Sequence, residues 1–133
     1  MAKMHAARAL ALVGTPFRPQ GRDVTGLDCV GLAMRVFELP AETVPDDYRL
    51  RGRHLHRATG LLGRFFRRVS ETLGQPGDLL LLAPRADQLH FAVLTMSGFV
   101  HAHAGLRRVV ETPGDPGWPT TAVFRRRSRK GTI

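Results

Sequence analysis

The chain of 133 residues is long enough to bury one core and too short for a second, so a single domain over residues 1–133 is expected. One cysteine excludes an internal disulfide, and no apolar run approaches the roughly 18 residues that a membrane-spanning helix needs. The formal charge of +9, carried almost wholly by arginine, admits anionic polymers and surfaces as partners without demanding one.

Residues 3–13 carry alanine and leucine at helical density and stop at Gly14 and Pro16, which predicts a first helix. Lys3 followed by Ala6 to Val13 faintly imitates a signal peptide. Arg8 interrupts it, and no A-x-A-like cleavage site follows. The expectation is synthesis in the cytoplasm without an export signal of its own. After a glycine-rich turn, Asp28 is placed to N-cap a second helix, which carries Cys29, Leu32, Ala33, Val36 and Phe37 along one side until Pro40. A thiol at a helix start meets unpaired backbone N–H groups and the positive end of the macrodipole, which favour thiolate. Cys29 is therefore the candidate nucleophile.

Residues 40–52 read as a loop. From Arg53 to Glu71, Leu55, Ala58, Leu62, Phe65 and Val69 recur at three- and four-residue steps, with Arg53, Arg57, Arg64, Arg67 and Arg68 on other faces. This predicts a basic amphipathic surface helix, on which His54 and His56 are surface residues. After the turn at Gln75 to Asp78 the period changes. Leu79–Leu82, Leu89–Met96, Phe99–Ala104, Arg107–Glu111 and Thr121–Arg126 read as strands, and the arginine run from about residue 125 reads as a solvated basic tail. Helices followed by short strands predict an α+β fold, with N-terminal helices packed on a mostly antiparallel sheet of about five strands.

Alternation places His90, Ala92 and Leu94 on one face of their strand, and Phe99, His101 and His103 on one face of the next. A two-residue turn at Thr95-Met96 sets His101 opposite His90, whereas a four-residue turn from Thr95 to Gly98 sets His103 there. Both stay candidates on parity alone. Three converging histidines could hold zinc, but Cys29 is expected to arrive from a helix as a nucleophile, so neither metal nor cofactor is expected.

Gly14, Pro16, Gly21, Asp28, Cys29, Gly31 and Leu32 form a G-x-P turn leading into D-C-x-G-L. Pro76-Gly77-Asp78-Leu79, His90-Phe91-Ala92-Val93 and Phe99-Val100-His101-Ala102 follow in order. This succession resembles the NlpC-type cell-wall cysteine peptidases, a papain-like family. The resemblance implies that Cys29 attacks an amide carbonyl while its backbone N–H helps hold the oxyanion. It further implies His90, protonated in a resting ion pair, as acid and base. His101 would be the third residue, with His103 as substitute because the interval after His90 is one residue shorter than usual in the family. The implied substrate is the peptidoglycan stem peptide, typically cut at a γ-D-glutamyl-diamino-acid bond; amidase or acyl-transfer chemistry would use the same residues.

Phe17 stands where the family commonly carries Tyr, and Val30 where many members carry Ser after the cysteine. Phe17 and Asp28 are the oxyanion or substrate-binding candidates, Asp28 as a helix cap or as a contact for a substrate amine. The closing Trp118-Pro119 and Ala122 to Arg125 segment resembles the branch found among phage and gene-transfer-agent tail genes. That implies tail-tip proteins as partners and action at the cell wall as part of a phage-like particle. Two other readings stand beside the peptidase: a non-catalytic tail-hub piece of the same fold, favoured by Phe17 and Val30, and a basic nucleic-acid-binding module, favoured by the charge. With one Trp, one Tyr and no recognisable binding motif, nucleic acid is not the expected partner.

Overall fold

The computed structural model describes residues 2–40, 62–85 and 88–127. The first helix, α1, spans Ala2–Ala11, and the chain then turns at Gly14, whose φ of +96° suits glycine. The glycine-rich stretch that follows is a small hairpin of β1 (Arg22–Asp23) and β2 (Gly26–Leu27). The second helix, α2 (Cys29–Phe37), starts as expected at Asp28, whose Oδ1 accepts the Gly31 N–H at 2.8 Å. It ends where Glu38 turns left-handed (φ 54°) and returns its N–H to the Met34 carbonyl. The hairpin lies hard against the first turn of α2. A Cβ at position 31 would stand 1.9 Å from the Gly21 carbonyl oxygen, so only glycine allows the approach.

The main sheet has six strands in the order β3-β8-β4-β5-β6-β7, each neighbour antiparallel. The five expected strands appear as β4 (Leu79–Arg85), β5 (Gln88–Leu94), β6 (Gly98–His103), β7 (Arg108–Pro113) and β8 (Thr120–Arg126). The sixth, β3 (Phe66–Val69), corrects the expectation of one helix from Arg53 to Glu71. Residues 62–65 are helical, but the chain then extends along β8 before a 3₁₀ turn at Glu71–Leu73. Leu62, Phe65 and Val69 keep helical spacing. Burial of Phe66 between the rings of Phe37 and Phe124, at 5.0 and 6.3 Å, together with the β8 ladder, outweighs that local pattern. The remainder of the expected helix, with His54 and His56, lies outside the described residues, as does the loop from residue 41 onwards.

The first two residues of the expected tail are not solvated chain. Arg125 and Arg126 belong to β8, and each has structural partners. Arg125 forms a two-pronged pair with the buried Asp78 carboxylate (2.9 and 2.8 Å), while Arg126 Nε donates to the Phe37 carbonyl at the end of α2 (3.2 Å). Residues from 128 lie outside the described part.

One face of the sheet meets the helices and forms the larger core. There Leu79, Leu81, Phe91, Val93, Val100 and Phe124 pack with Leu27, Leu32, Val36 and Phe37. The other face holds a smaller cluster of Leu80, Leu82, Ala92, Phe99 and Val123. Among the described residues, no helix is long and apolar enough to cross a membrane. One ladder is incomplete. β5 and β6 pair through Val93 with Val100 and Leu94 with Phe99, although both strands continue past that point.

Candidate active site

The place where β5 and β6 part receives Cys29. In a complete antiparallel ladder the Phe91 N–H would seek a carbonyl partner; here it donates to the Cys29 sulfur. The backbone N–H groups of Cys29 and Val30 also favour the sulfur's anionic form. Burial outweighs them. With Cys29 only 4% exposed and the Asp28 carboxylate beside it, the thiol is pushed up to about 12.

His90, on β5, and His101, on β6, meet across the same opening, with His90 Nε2 2.9 Å from His101 Nδ1. Burial, with His101 and His103 adding to it, holds the His90 imidazole down at about 4. Burial and His103 hold His101 at about 4 as well. These shifts run against the resting thiolate–imidazolium pair that the resemblance implies, toward a neutral thiol and a neutral imidazole. Removal from water disfavours both charged forms by more than the helix start and adjoining N–H groups recover.

The turn between β5 and β6 is the four-residue one, Thr95 to Gly98, closed by the Thr95 N–H on the Gly98 carbonyl (2.9 Å). Continued past Val93 and Val100, that register sets His103 across from His90 and leaves His101 one step along the diagonal. The diagonal neighbour makes the bond, because the strands have separated and an imidazole is long enough to reach. His103 instead accepts the Leu106 N–H on its Nδ1 (3.1 Å) and secures the turn into β7. Its ring stands 5.3 Å from that of His101.

Two neighbours of the histidines were not singled out as site residues from the sequence. Thr112 on β7 places its Oγ1 3.1 Å from His101 Nε2. Trp118 stands edge-to-face against His90 (5.6 Å, 89°) and against His101 (6.1 Å, 76°). Alternation along β7 could have put Thr112 on the histidine face, but the register needed for contact is not written in the sequence. Trp118 lies in a loop with no periodicity to place it.

Asp28 serves α2 and its approach. Its Oδ1 caps the helix, and its Oδ2 accepts the N–H of Gln20 (2.8 Å), a residue in the left-handed region at φ 58°. Both oxygens thus take backbone donors, which accords with the capping role. Phe17 is tied by its N–H to the Arg107 carbonyl (2.9 Å) and packs at the margin of the larger core. Cys29, His90, His101, His103, Phe17 and Trp118 all line one open cleft of about 730 Å³, with Arg85 and Gln88 on its wall. Among the described residues, no group of three or more His, Cys, Asp or Glu could hold a metal ion.

Such a cleft offers a thiol, an imidazole whose Nε2 is already committed to a second imidazole, and backbone N–H groups at a helix start, the groups that acyl transfer requires. No protein-family model and no curated protein matches the sequence. Solved structures do match the fold. An NlpC/P60 family protein from Bacillus cereus ATCC 10987 superposes with a TM-score of 0.69 at 21% identity, over 94% of this chain and 40% of that one. The NlpC/p60 domain of the peptidoglycan hydrolase SagA superposes with a TM-score of 0.61 at 20% identity, over 85% of this chain and 89% of that one. The chain thus has the α+β fold of NlpC/P60 domains and spans well under half the length of the Bacillus protein.

Proposed function

We propose that this chain is a cysteine hydrolase of peptidoglycan that cuts stem peptides, in keeping with a γ-D-glutamyl-diamino-acid bond. The observation that carries the reading is the pairing of His90 Nε2 with His101 Nδ1 at 2.9 Å. It leaves His90 Nδ1 as the nitrogen to serve the thiol in the cleft that both residues line. The similarity in fold to a domain of a peptidoglycan hydrolase supports the substrate class.

With both groups neutral at rest, chemistry begins by proton transfer. As the scissile carbonyl enters, His90 Nδ1 takes the proton from Cys29 Sγ, and the thiolate attacks the carbonyl carbon. The Cys29 backbone N–H supports the resulting oxyanion. His90 then gives the proton to the leaving amine, and the acyl-enzyme is released by a water molecule that His90 deprotonates. His101 accepts from His90 Nε2–H and steadies the imidazolium. Phe17 and Trp118 wall the cleft as apolar surfaces against the substrate. The setting we propose is a phage or gene-transfer-agent tail tip that opens the wall locally, a reading supported by the resemblance of the closing segment.

Digestion of purified sacculi by wild type and Cys29→Ala, with fragments identified by mass, tests this. Wild type is expected to release products with newly cut stem peptides, and the variant none. Identical products from the two proteins would overturn the hydrolase reading.

A further inference from the structure

His101 has two ring nitrogens and both are engaged: Nδ1 toward His90 Nε2 at 2.9 Å, and Nε2 toward Thr112 Oγ1 at 3.1 Å. Each contact holds one proton, and each could run in either direction. The two directions are coupled, because a neutral imidazole carries one N–H. If Thr112 donates to His101 Nε2, then His101 Nδ1–H donates to His90 Nε2, and the His90 proton must sit on Nδ1. If Thr112 accepts, every proton shifts along and His90 Nδ1 presents a lone pair.

The surroundings decide between them. The Cys29 sulfur already has the backbone N–H groups of Phe91, Cys29 and Val30 favouring its anionic form. With three donors already on the sulfur, a lone pair on His90 Nδ1 rather than a fourth N–H suits a base serving the cleft that both residues line. At the other end, Thr112 is half-buried on the edge strand β7, so its hydroxyl can pass its own proton to solvent while accepting from His101.

We infer that Thr112 is a positioning residue that accepts from His101 Nε2–H and thereby sets the proton order of the row: His101 Nε2–H to Thr112 Oγ1 and His90 Nε2–H to His101 Nδ1, with the lone pair of His90 Nδ1 left open in the cleft that Cys29 also lines. Thr112 touches no reacting atom. Through two imidazoles it keeps the basic nitrogen of His90 open, and proton uptake there gives a cation whose Nε2–H still has an acceptor. The functional consequence rests on the hydrolase reading, whereas the proton order is a property of the resting protein and is read without substrate.

The test is ¹⁵N-histidine NMR on the full-length chain as wild type, Thr112→Val and Thr112→Ser, near neutral pH, where His90 and His101 are uncharged. In wild type both rings are expected as Nε2–H tautomers. Thr112→Val, close in shape but without the acceptor, is expected to move His101 and with it His90 toward Nδ1–H, and Thr112→Ser to restore the wild-type pattern. On sacculi, kcat should fall roughly ten- to a hundredfold in the valine variant with KM little changed, and recover in the serine variant. Wild-type spectra showing His101 protonated on Nδ1, or a valine variant with unchanged tautomers, would overturn the inference. The wild-type spectrum decides the matter even if the valine variant does not fold. Normal tautomers in a protein that leaves sacculi intact would instead count against the hydrolase reading alone.

Discussion

At the scale of single residues, the histidines divide by what their nitrogens touch. His101 is bound to His90, and His103 to the Leu106 N–H, so the two should respond differently to truncation. His101→Ala is expected to cut sacculus digestion by about a hundredfold or more, as loss of support for a general base does. His103→Ala should leave the rate within about tenfold and show mainly as lowered stability from the loosened turn. A fragment-release time course on both variants checks this. Another imidazole, the buried His5, stands against the Phe37 ring at 4.9 Å, far from the chemistry in role. Burial, with Arg8 and other positive charge nearby, holds it at about 4, where His90 and His101 also lie. Each is depressed from 6.5, so between those values the unfolded chain binds more protons than the native one. Stability is therefore full above about pH 6.5, falls as pH drops toward 4, and loses nothing more from these groups below that. Denaturant titrations across this window should show the slope, and His5→Leu should make it shallower while the site residues stay in place.

At the scale of elements, the approach of the β1–β2 hairpin to α2 fixes where the cysteine stands. Gly31→Ala would drive a Cβ into the Gly21 carbonyl, and because the obstruction is backbone, either hairpin or helix must move. A loss of about 1–3 kcal/mol in chemical denaturation is expected, together with a larger loss of activity than the stability change explains. The same scale shows what was legible beforehand. The Asp28 cap and α2 could be read because capping and apolar spacing agree, and the five strands because runs such as Leu79 to Leu82 suit nothing else in so short a span. β3 was hidden. Phe65 to Val69 satisfies a helical period within the chain, and its pairing with β8 depends on residues more than fifty positions away. The choice between His101 and His103 was hidden for another reason: it turns on where the β5–β6 ladder stops, which no local pattern encodes. The burial that raises the thiol was hidden as well, because the helix start is visible in sequence and burial is not.

At the scale of the whole molecule, the last strand of the described chain is fastened to the turn that opens β4. Asp78, in the turn before β4, accepts from Arg125 Nε and Nη2 and from the Gln75 N–H (2.8 Å), which ties β8 to that turn. Arg125→Met would strand a buried carboxylate and is expected to cost about 3–5 kcal/mol in denaturant unfolding, whereas Asp78→Leu combined with Arg125→Met should cost much less. A double variant no more stable than the single one would contradict this. The parting of β5 from β6 has a consequence at this scale too. A fold that leaves a seam unstitched forgoes rigidity where it needs an opening for sulfur, so heat resistance and turnover compete for the same few backbone atoms. Variants selected for a higher melting temperature at this seam should close it and fall silent, while those stabilised on the far edge, at β3 and β8, should keep their chemistry.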